Sequence, residues 1–439
     1  MRERSAVRER LERWFFFLAL AFLLVVTGML LARYRIFPYP FVDDAIRGSL
    51  AAATQLGWIE DPDTVPDGSK GERASTETGV SYYDAAAADQ GLTLFSVGHN
   101  EEALLIDMNG RTVHRWSHSW SAIRERYGKE KKLPDVPVSW FSVHLYPNGD
   151  LLVTLQGEDI TPYGLATFKI DKDSKLLWAN LENAHHDAVV GEDGLIYTLS
   201  QVIRRSALPG VSALKPPILE DFVLVLSPDG DIVHRISIIE AFVGTPYLPA
   251  VERFGDRSDW KGDYFHANAI EPYDSRNEIP VLREGQVLIS IRNMDTLATL
   301  DLNTGKIVWL LRGPWHRQHD PDIVGGRIML FDNRGDFSRS GRSRVLELDP
   351  LTQAISWQVS ANDQYDLFSS WGASQQPLAN GNVLINETVP GRLLEVTRDG
   401  TLVWEFHASG RDESGKFAAP ILEATRYAPD DLRFQFNGG

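Results

Sequence analysis

Three histidine clusters, His185-His186-Asp187, His266-Ala267-Asn268 and His319-Asp320, each stand at the head of a short run that leads into an apolar strand pattern. An imidazole of near-neutral pKa can attack an electrophile, carry a proton or ligate a metal, so three brought to one place would define a site. Arg292 lies within LISIRNMDTLATLD. An arginine inside an apolar strand needs an acidic partner, such as Asp295, or an anion. The same histidines with Asp187 or Asp320 would also suit a three-histidine metal site, although the charge of Arg292 opposes a dication. A single histidine at a strand start is ordinarily a satisfied surface or core residue, but three at one repeat position are harder to explain that way. The chain has no cysteine, which excludes thiolate ligands, a cysteine nucleophile and disulfides.

The repeat that would position these residues is visible from Leu92 onward, where short apolar–polar alternations are separated by Asn-Gly, Asp-Gly and Thr-Gly turns. A ring side chain recurs four residues after the last residue of each turn. The rings are His114, Trp178, His234, Trp309, Trp357 and Trp404, after Gly110, Ser174, Gly230, Gly305, Gln353 and Gly400. Six units of this kind predict an all-β, six-bladed β-propeller, in which each four-stranded sheet buries its faces against its neighbours. The first unit, Leu92 to His118, has material for only three strands, and Pro420 to Tyr427 has a strand with no blade of its own. The C-terminal strand is therefore expected to complete the first blade from the inside and close the ring. Inner strands converge on a central channel. Aligned on the following strand, His186 and His319 fall at the same repeat position, nine residues before Leu195 and Ile328, and His266 within one residue of it.

Ahead of the propeller, residues 14–32 form an uncharged apolar run that would span roughly 28 Å as a helix, close to the hydrocarbon thickness of a bilayer. Arg2, Arg4, Arg8, Arg10 and Arg13 precede it, and Arg33 and Arg35 follow. The positive-inside bias predicts a cytoplasmic N-terminus at 1–13, a signal-anchor helix at 14–32 in the inner (cytoplasmic) membrane, and the remainder on the periplasmic or extracellular side. Residues 33–90 read as a juxtamembrane spacer in which FVDDAIRGSLAAATQLGW could form a short surface helix, and 91–439 as the propeller. Sixty acidic against 44 basic residues, a net charge of −16, argue against nucleic-acid binding and require a local basic site for any anionic ligand.

These segments resemble the bacterial arylsulfate sulfotransferase family of six-bladed propeller enzymes. The likeness runs from about Gly79 to Phe434 through GVSYYD, GLTLF, LLIDMNGRTVHRW, HHDAVV, ISIRNMDTLATLDLNTGKIVW, QHDPDIVGGRIMLFDNRG and EATRYAPDD, with QHD followed by LFDN as its most specific part. The resemblance implies an aryl sulfotransferase in which His319 is the transiently sulfated nucleophile, while His186, His266 and Arg292 bind the sulfuryl oxygens and assist proton transfer. Asn268, Asp187 and Asp320, beside these histidines, are candidates for substrate binding. It also implies aryl sulfate and phenolic small molecules as partners, no cofactor and no metal. A homodimer is compatible with it. The residues themselves fit that chemistry, because sulfuryl transfer needs cationic groups for the non-bridging oxygens and a nucleophile in line with the departing phenolate. The absence of GxxxxGK[ST] and GxGxxG removes the usual cradle for a nucleotide-borne (PAPS) donor. Two other readings of the same residues are a metal-dependent hydrolase using the funnel histidines and a non-catalytic membrane-tethered binding propeller.

Overall fold

The computed structural model describes residues 2–34, 78–128, 131–255, 262–336, 342–410 and 418–436. Most of the expected spacer, and with it FVDDAIRGSLAAATQLGW, lies outside the described residues. The chain divides into two units, Met1–Asp67 and Gly68–Gly439. In the first, α1 (Arg2–Tyr34) contains the window Arg13–Leu30, whose mean hydropathy of 2.1 makes it long and apolar enough to cross a membrane.

The second unit is a six-bladed β-propeller. From the axis outward, its sheets are built as follows. Blade 2 comprises β5 (Val138–Leu145), β6 (Leu151–Gly157), β7 (Gly164–Ile170) and β8 (Leu176–Asn180). Blade 3 comprises β9 (Ala184–Val190), β10 (Ile196–Arg204), β11 (Ile218–Leu226) and β12 (Ile232–Ser237). In blade 4 the order is β13 (Ala267–Pro272), β14 (Gln286–Ile291), β15 (Thr296–Asp301) and β16 (Lys306–Arg312). Blade 5 is β17 (His319–Val324), β18 (Arg327–Asp336), β19 (Arg342–Leu348) and β20 (Ile355–Ser360). Blade 6 is β21 (Ser374–Pro377), β22 (Val383–Glu387), β23 (Arg392–Val396) and β24 (Leu402–His407).

Blade 1 is assembled from both ends of the domain. Strand β25 (Ile421–Tyr427) lies inside β2 (Leu92–Val97), β3 (Glu102–Ile106) and β4 (Thr112–Ser117), with Leu92 opposite Tyr427. Its Arg426 guanidinium is ion-paired with Glu395 of β23 and donates to Thr93 Oγ1 at 3.1 Å, joining the closing strand to blade 6. The expected spacer is corrected at its C-terminal end. Residues β1 (Gly79–Tyr83) already pair with β24 as a fifth, outermost strand of blade 6. Five residues between polar stretches carry too little periodicity to announce a strand.

Alternation along the strands feeds opposite neighbours. Leu94 packs towards blade 2 and Phe95 towards blade 6, while Leu330 faces blade 4 and Phe331 faces blade 6. Each sheet is therefore apolar on both faces, as a blade between two blades must be. The recurring rings sit on the fourth strand of each blade counted from the axis, and their turns bend through positive φ at Gly110, Ser174, Gly230, Gly305, Gln353 and Gly400. In four blades the ring nitrogen reaches a carbonyl in the next blade's outer turn. His114 Nε2 meets Lys172 O, and Trp178, Trp357 and Trp404 donate to Pro228 O, Arg398 O and Met108 O. The repeat thus marks a clamp between blades.

Candidate active site

The innermost strands of blades 2 to 5 each carry a β-bulge near the start, at Phe141, at His186-Asp187, at Asn268 and at Asp320-Pro321. A bulge bends its strand and re-aims a side chain. Here His186, His266 and Asp320 also adopt left-handed φ of 57°, 50° and 50°, a conformation non-glycine residues tolerate mainly at functional sites. This corrects the expected equivalence of His186 and His319. The ladder puts His319 opposite Phe331 just before its bulge, as His185 lies opposite Leu199, so His319 matches His185 and Asp320 matches His186. The intervening turns differ in length, 191–195 against Gly325-Gly326, and an alignment drawn across them slips.

All four candidate catalytic residues, His186, His266, His319 and Arg292, nevertheless line one cavity of about 240 Å³, walled by Phe141, Tyr163 and Trp371. That is below the roughly 300–1,000 Å³ of drug-sized ligand sites, so it suits a single aromatic ring with a small anionic group. Arg292 is not within a strand but opens a 3-10 turn, Arg292–Met294, directly after β14. Asp295, the partner weighed for it, accepts from His316 Nδ1 at 3.0 Å and Arg317 N at 2.9 Å. Arg292 Nη1 donates to Asn293 Oδ1 at 2.9 Å. Burial, with Arg317 nearby, pushes the Arg292 pKa down to about 10, which keeps the guanidinium charged at neutral pH.

Each histidine is held differently. His319 Nδ1 lies 3.1 Å from Arg317 O and 2.7 Å from Asn333 Oδ1, and Asn333 in turn donates to Ser369 O and Gly372 O. A backbone carbonyl only accepts, so Nδ1 carries the hydrogen and Nε2 keeps a lone pair. Burial first, then Arg292, pushes the His319 pKa down to about 3. His266 Nδ1 is 2.6 Å from Asp263 Oδ2. Burial alone would raise the Asp263 carboxyl, but His266 and Arg292 outweigh it and hold it below the ordinary range. Burial and the surrounding cations and imidazoles keep His186 well below the usual histidine range.

Asn268, Asp187 and Asp320 line a smaller cavity of about 30 Å³ that shares Phe141, His186, His319 and Gly372 with the first. Asn268 Nδ2 donates to Gln318 O, leaving Oδ1 buried without a partner. The two aspartates clip neighbouring blades, Asp187 accepting from Ile270 N and Asp320 from Gln375 N, each at 2.9 Å. Among the described residues no group of three or more His, Asp or Glu side chains is arranged to hold a metal ion. Sequence reasoning passed over Phe141, Tyr163, Trp371, Asp263 and Asp221, while His185 and Asn333 stood in the quoted motifs HHDAVV and LFDN without a role assigned to them.

Burial pushes Asp187 up to about 6, and Asp320, Asp322, Glu271 and Glu423 on the same inner strands are raised further by burial and mutual repulsion. The folded state therefore binds protons the unfolded chain releases. The stability they contribute is complete below about pH 4, and Asp187's share is lost as pH rises through about 6. The carboxylate contribution to the melting temperature is expected to fall between pH 5 and pH 8, against the opposite contribution of the depressed His319 and His186, which grows as pH rises towards 6.5. Asp187→Asn, which keeps an acceptor for Ile270 N, should gain on the wild type as pH rises from 5 to 8 and stabilise the propeller at pH 8 by on the order of 1–2 kcal/mol. Parallel melting curves for variant and wild type at both pH values would count against it.

A buried, cation-bearing imidazole pocket on the axis of a six-bladed propeller is suited to handling a small anion. A family model described as arylsulfotransferase (ASST) matches residues 142–410, and the chain belongs to that family. Membership supports arylsulfotransferase activity and small aryl substrates. No curated protein matches the chain. Similar solved structures include a protein of unknown function from Bacteroides caccae, at 12% identity over 77% of this chain and 99% of that one with a TM-score of 0.49. They also include a streptogramin B lyase, at 13% identity over 81% and 95% with a TM-score of 0.42. A virginiamycin B lyase from Staphylococcus aureus matches at 10% identity over 62% and 70%, with a TM-score of 0.36.

Proposed function

We propose that the protein moves a sulfuryl group from an aryl sulfate to a phenolic acceptor by double displacement through a sulfohistidine at His319. The observation that carries this reading is the fixed tautomer of His319, which leaves a neutral Nε2 lone pair on a side chain lining the cavity beside charged Arg292. In the first half-reaction Nε2 attacks sulfur, the bond from sulfur to the aryl oxygen breaks, and the departing phenolate receives a proton. In the second, the acceptor oxygen attacks sulfur, its proton leaves, and the N–S electron pair returns to Nε2. Arg292, with His266 held by Asp263, stabilises the sulfuryl oxygens as the group passes between the two. Asn268, Asp187 and Asp320, which line the smaller adjoining cavity, contribute to binding. A neutral buried imidazole is the appropriate nucleophile where cysteine is absent. The test is intact-mass measurement after mixing with donor alone. One added sulfuryl group, lost when a phenol is supplied, supports the reading; turnover with no such adduct and no ping-pong pattern overturns it.

The arginine asymmetry around the apolar helix supports a single-pass anchor in the inner membrane, with residues 1–13 cytoplasmic and the propeller on the periplasmic or extracellular side. Protease added to intact spheroplasts should then release a propeller-sized fragment. Protection of the propeller would reverse the topology, and a shortened N-terminus on the mature protein would identify the helix as a cleaved signal.

A further inference from the structure

Behind His186, on the side away from the cavity, lie two fully buried ionisable groups that the proposed sulfuryl chemistry does not use. His185 and Asp221 are both 0% exposed. His185 Nδ1 is 2.8 Å from His186 Nδ1, and His185 Nε2 is 3.4 Å from Asp221 Oδ1. His185 Nε2 and Asp221 Oδ1 are both buried without a hydrogen-bond partner, their 3.4 Å separation being an ion-pair distance outside hydrogen-bond geometry, while Asp221 Oδ2 accepts from Ala267 N at 2.9 Å. Burying a carboxylate and an imidazole in this way is costly unless they share a proton.

Two imidazole nitrogens 2.8 Å apart must hold one proton between them. If that proton sits on His186 Nδ1, then His186 Nε2 is a lone pair and His185 is neutral, with its hydrogen on Nε2, the nitrogen 3.4 Å from Asp221 Oδ1. If one more proton enters, it can reside as Nδ1–H on His185, now an imidazolium against Asp221, while His186 becomes the Nε2–H tautomer. His186 changes from acceptor to donor without ever being charged itself. That matters because His186 is faced by His266, His319 and Arg292 across the cavity, by His185 behind, and by the rings of Phe141 and Tyr163. His185 is faced by Tyr163, Asp221 and, more distantly, Asp263.

We propose that Asp221, His185 and His186 form a proton relay, in which transfer across the Nδ1–Nδ1 contact lets neutral His186 protonate the leaving phenolate and then take the proton of the acceptor phenol. This rests on the sulfohistidine reading, and it assigns the proton transfer to one of the funnel histidines. In the resting enzyme the relay holds the extra proton; the departing aryl oxygen takes it from His186 Nε2 as the S–O bond breaks, and His185 Nδ1 resupplies His186 Nδ1. The acceptor hydroxyl then returns a proton to Nε2 as its oxygen bonds to sulfur, and the relay is restored with no net proton consumed. His185 and Asp221 touch no substrate and act as positioning residues.

The readout that separates a relay from mere support is the dependence of rate on the leaving group. For Asp221→Asn and His185→Gln, kcat/KM should be measured on aryl sulfates of rising phenol pKa, with intact mass recorded on a 4-nitrophenyl donor. The expected result is a loss of about 10²–10³-fold for donors that release a basic phenolate and less than about tenfold for the nitrophenyl donor, which departs without protonation. An equal loss on all donors, or none, would overturn the relay. Should both variants fail to fold, the wild type still decides. A solvent deuterium isotope effect is expected with basic leaving groups and none with nitrophenyl, and its absence throughout overturns the proposal. If the wild type forms no sulfuryl adduct, the His319 reading fails. If the variants form the adduct but keep the wild-type leaving-group dependence, only the relay fails.

Discussion

His319→Asn should abolish transfer, lowering kcat/KM by at least about 10⁴-fold, with the fold retained. Asparagine is the informative replacement because its amide can still donate to Arg317 O and Asn333 Oδ1, the two acceptors that hold Nδ1. What disappears is the Nε2 lone pair. Aryl sulfate binding should survive, since Arg292 and His266 remain. Intact mass after exposure to donor should show no adduct. The wild type also carries a pH signature. The active form of His319 is neutral, and burial with Arg292 pushes its pKa down to about 3, so the nucleophile persists far below the usual histidine range. Adduct formation from a nitrophenyl donor, which needs no proton donor, should therefore show no loss attributable to His319 between pH 5 and pH 8. An acid limb near 6.5 in the wild type would contradict the depressed pKa of His319, and robust acceptor-dependent turnover by His319→Asn would place the nucleophile elsewhere.

The propeller was legible because its information is periodic. A ring four residues beyond each outer turn recurs six times, and the surplus strand at Pro420 to Tyr427 answered a deficit in the first unit. The same period identified the inner-strand starts, and so His186, His266 and His319. What periodicity could not show is set by departures from it. The bulges at Phe141, His186-Asp187, Asn268 and Asp320-Pro321 leave no mark in composition, yet they bring the side chains of four blades to one cavity. The one-position slip between His186 and His319 has a different cause, the unequal turns that follow their strands. The supporting groups are hidden for another reason. Asp221 reaches His185 from a strand two places further out, and Asn333 reaches His319 across the β17–β18 hairpin. Such contacts join residues dozens of positions or a hairpin apart, and no local pattern connects them. Tyr163 and Trp371 sit between or before strands, in segments whose path a strand pattern does not fix.

Arg292→Leu should lower kcat/KM by about 10³-fold, through both a raised donor KM and a reduced kcat. Leucine removes the guanidinium cation from the cavity, so the sulfuryl oxygens lose stabilisation when bound and more of it as charge develops. Arg292→Lys should recover part of the loss, because it restores charge without the planar fork that engages two oxygens at once. A second consequence separates this role from a structural one. Arg292 is among the groups that depress His319, after burial. Without it the His319 pKa should rise, so the acid limb of adduct formation should move to higher pH in Arg292→Leu and return in Arg292→Lys. A residue that only braced the turn at Arg292–Met294 would behave otherwise. Its loss would lower the melting temperature while leaving kcat/KM per folded molecule and the acid limb in place, and that outcome would assign Arg292 to structure and remove the anion site from the funnel.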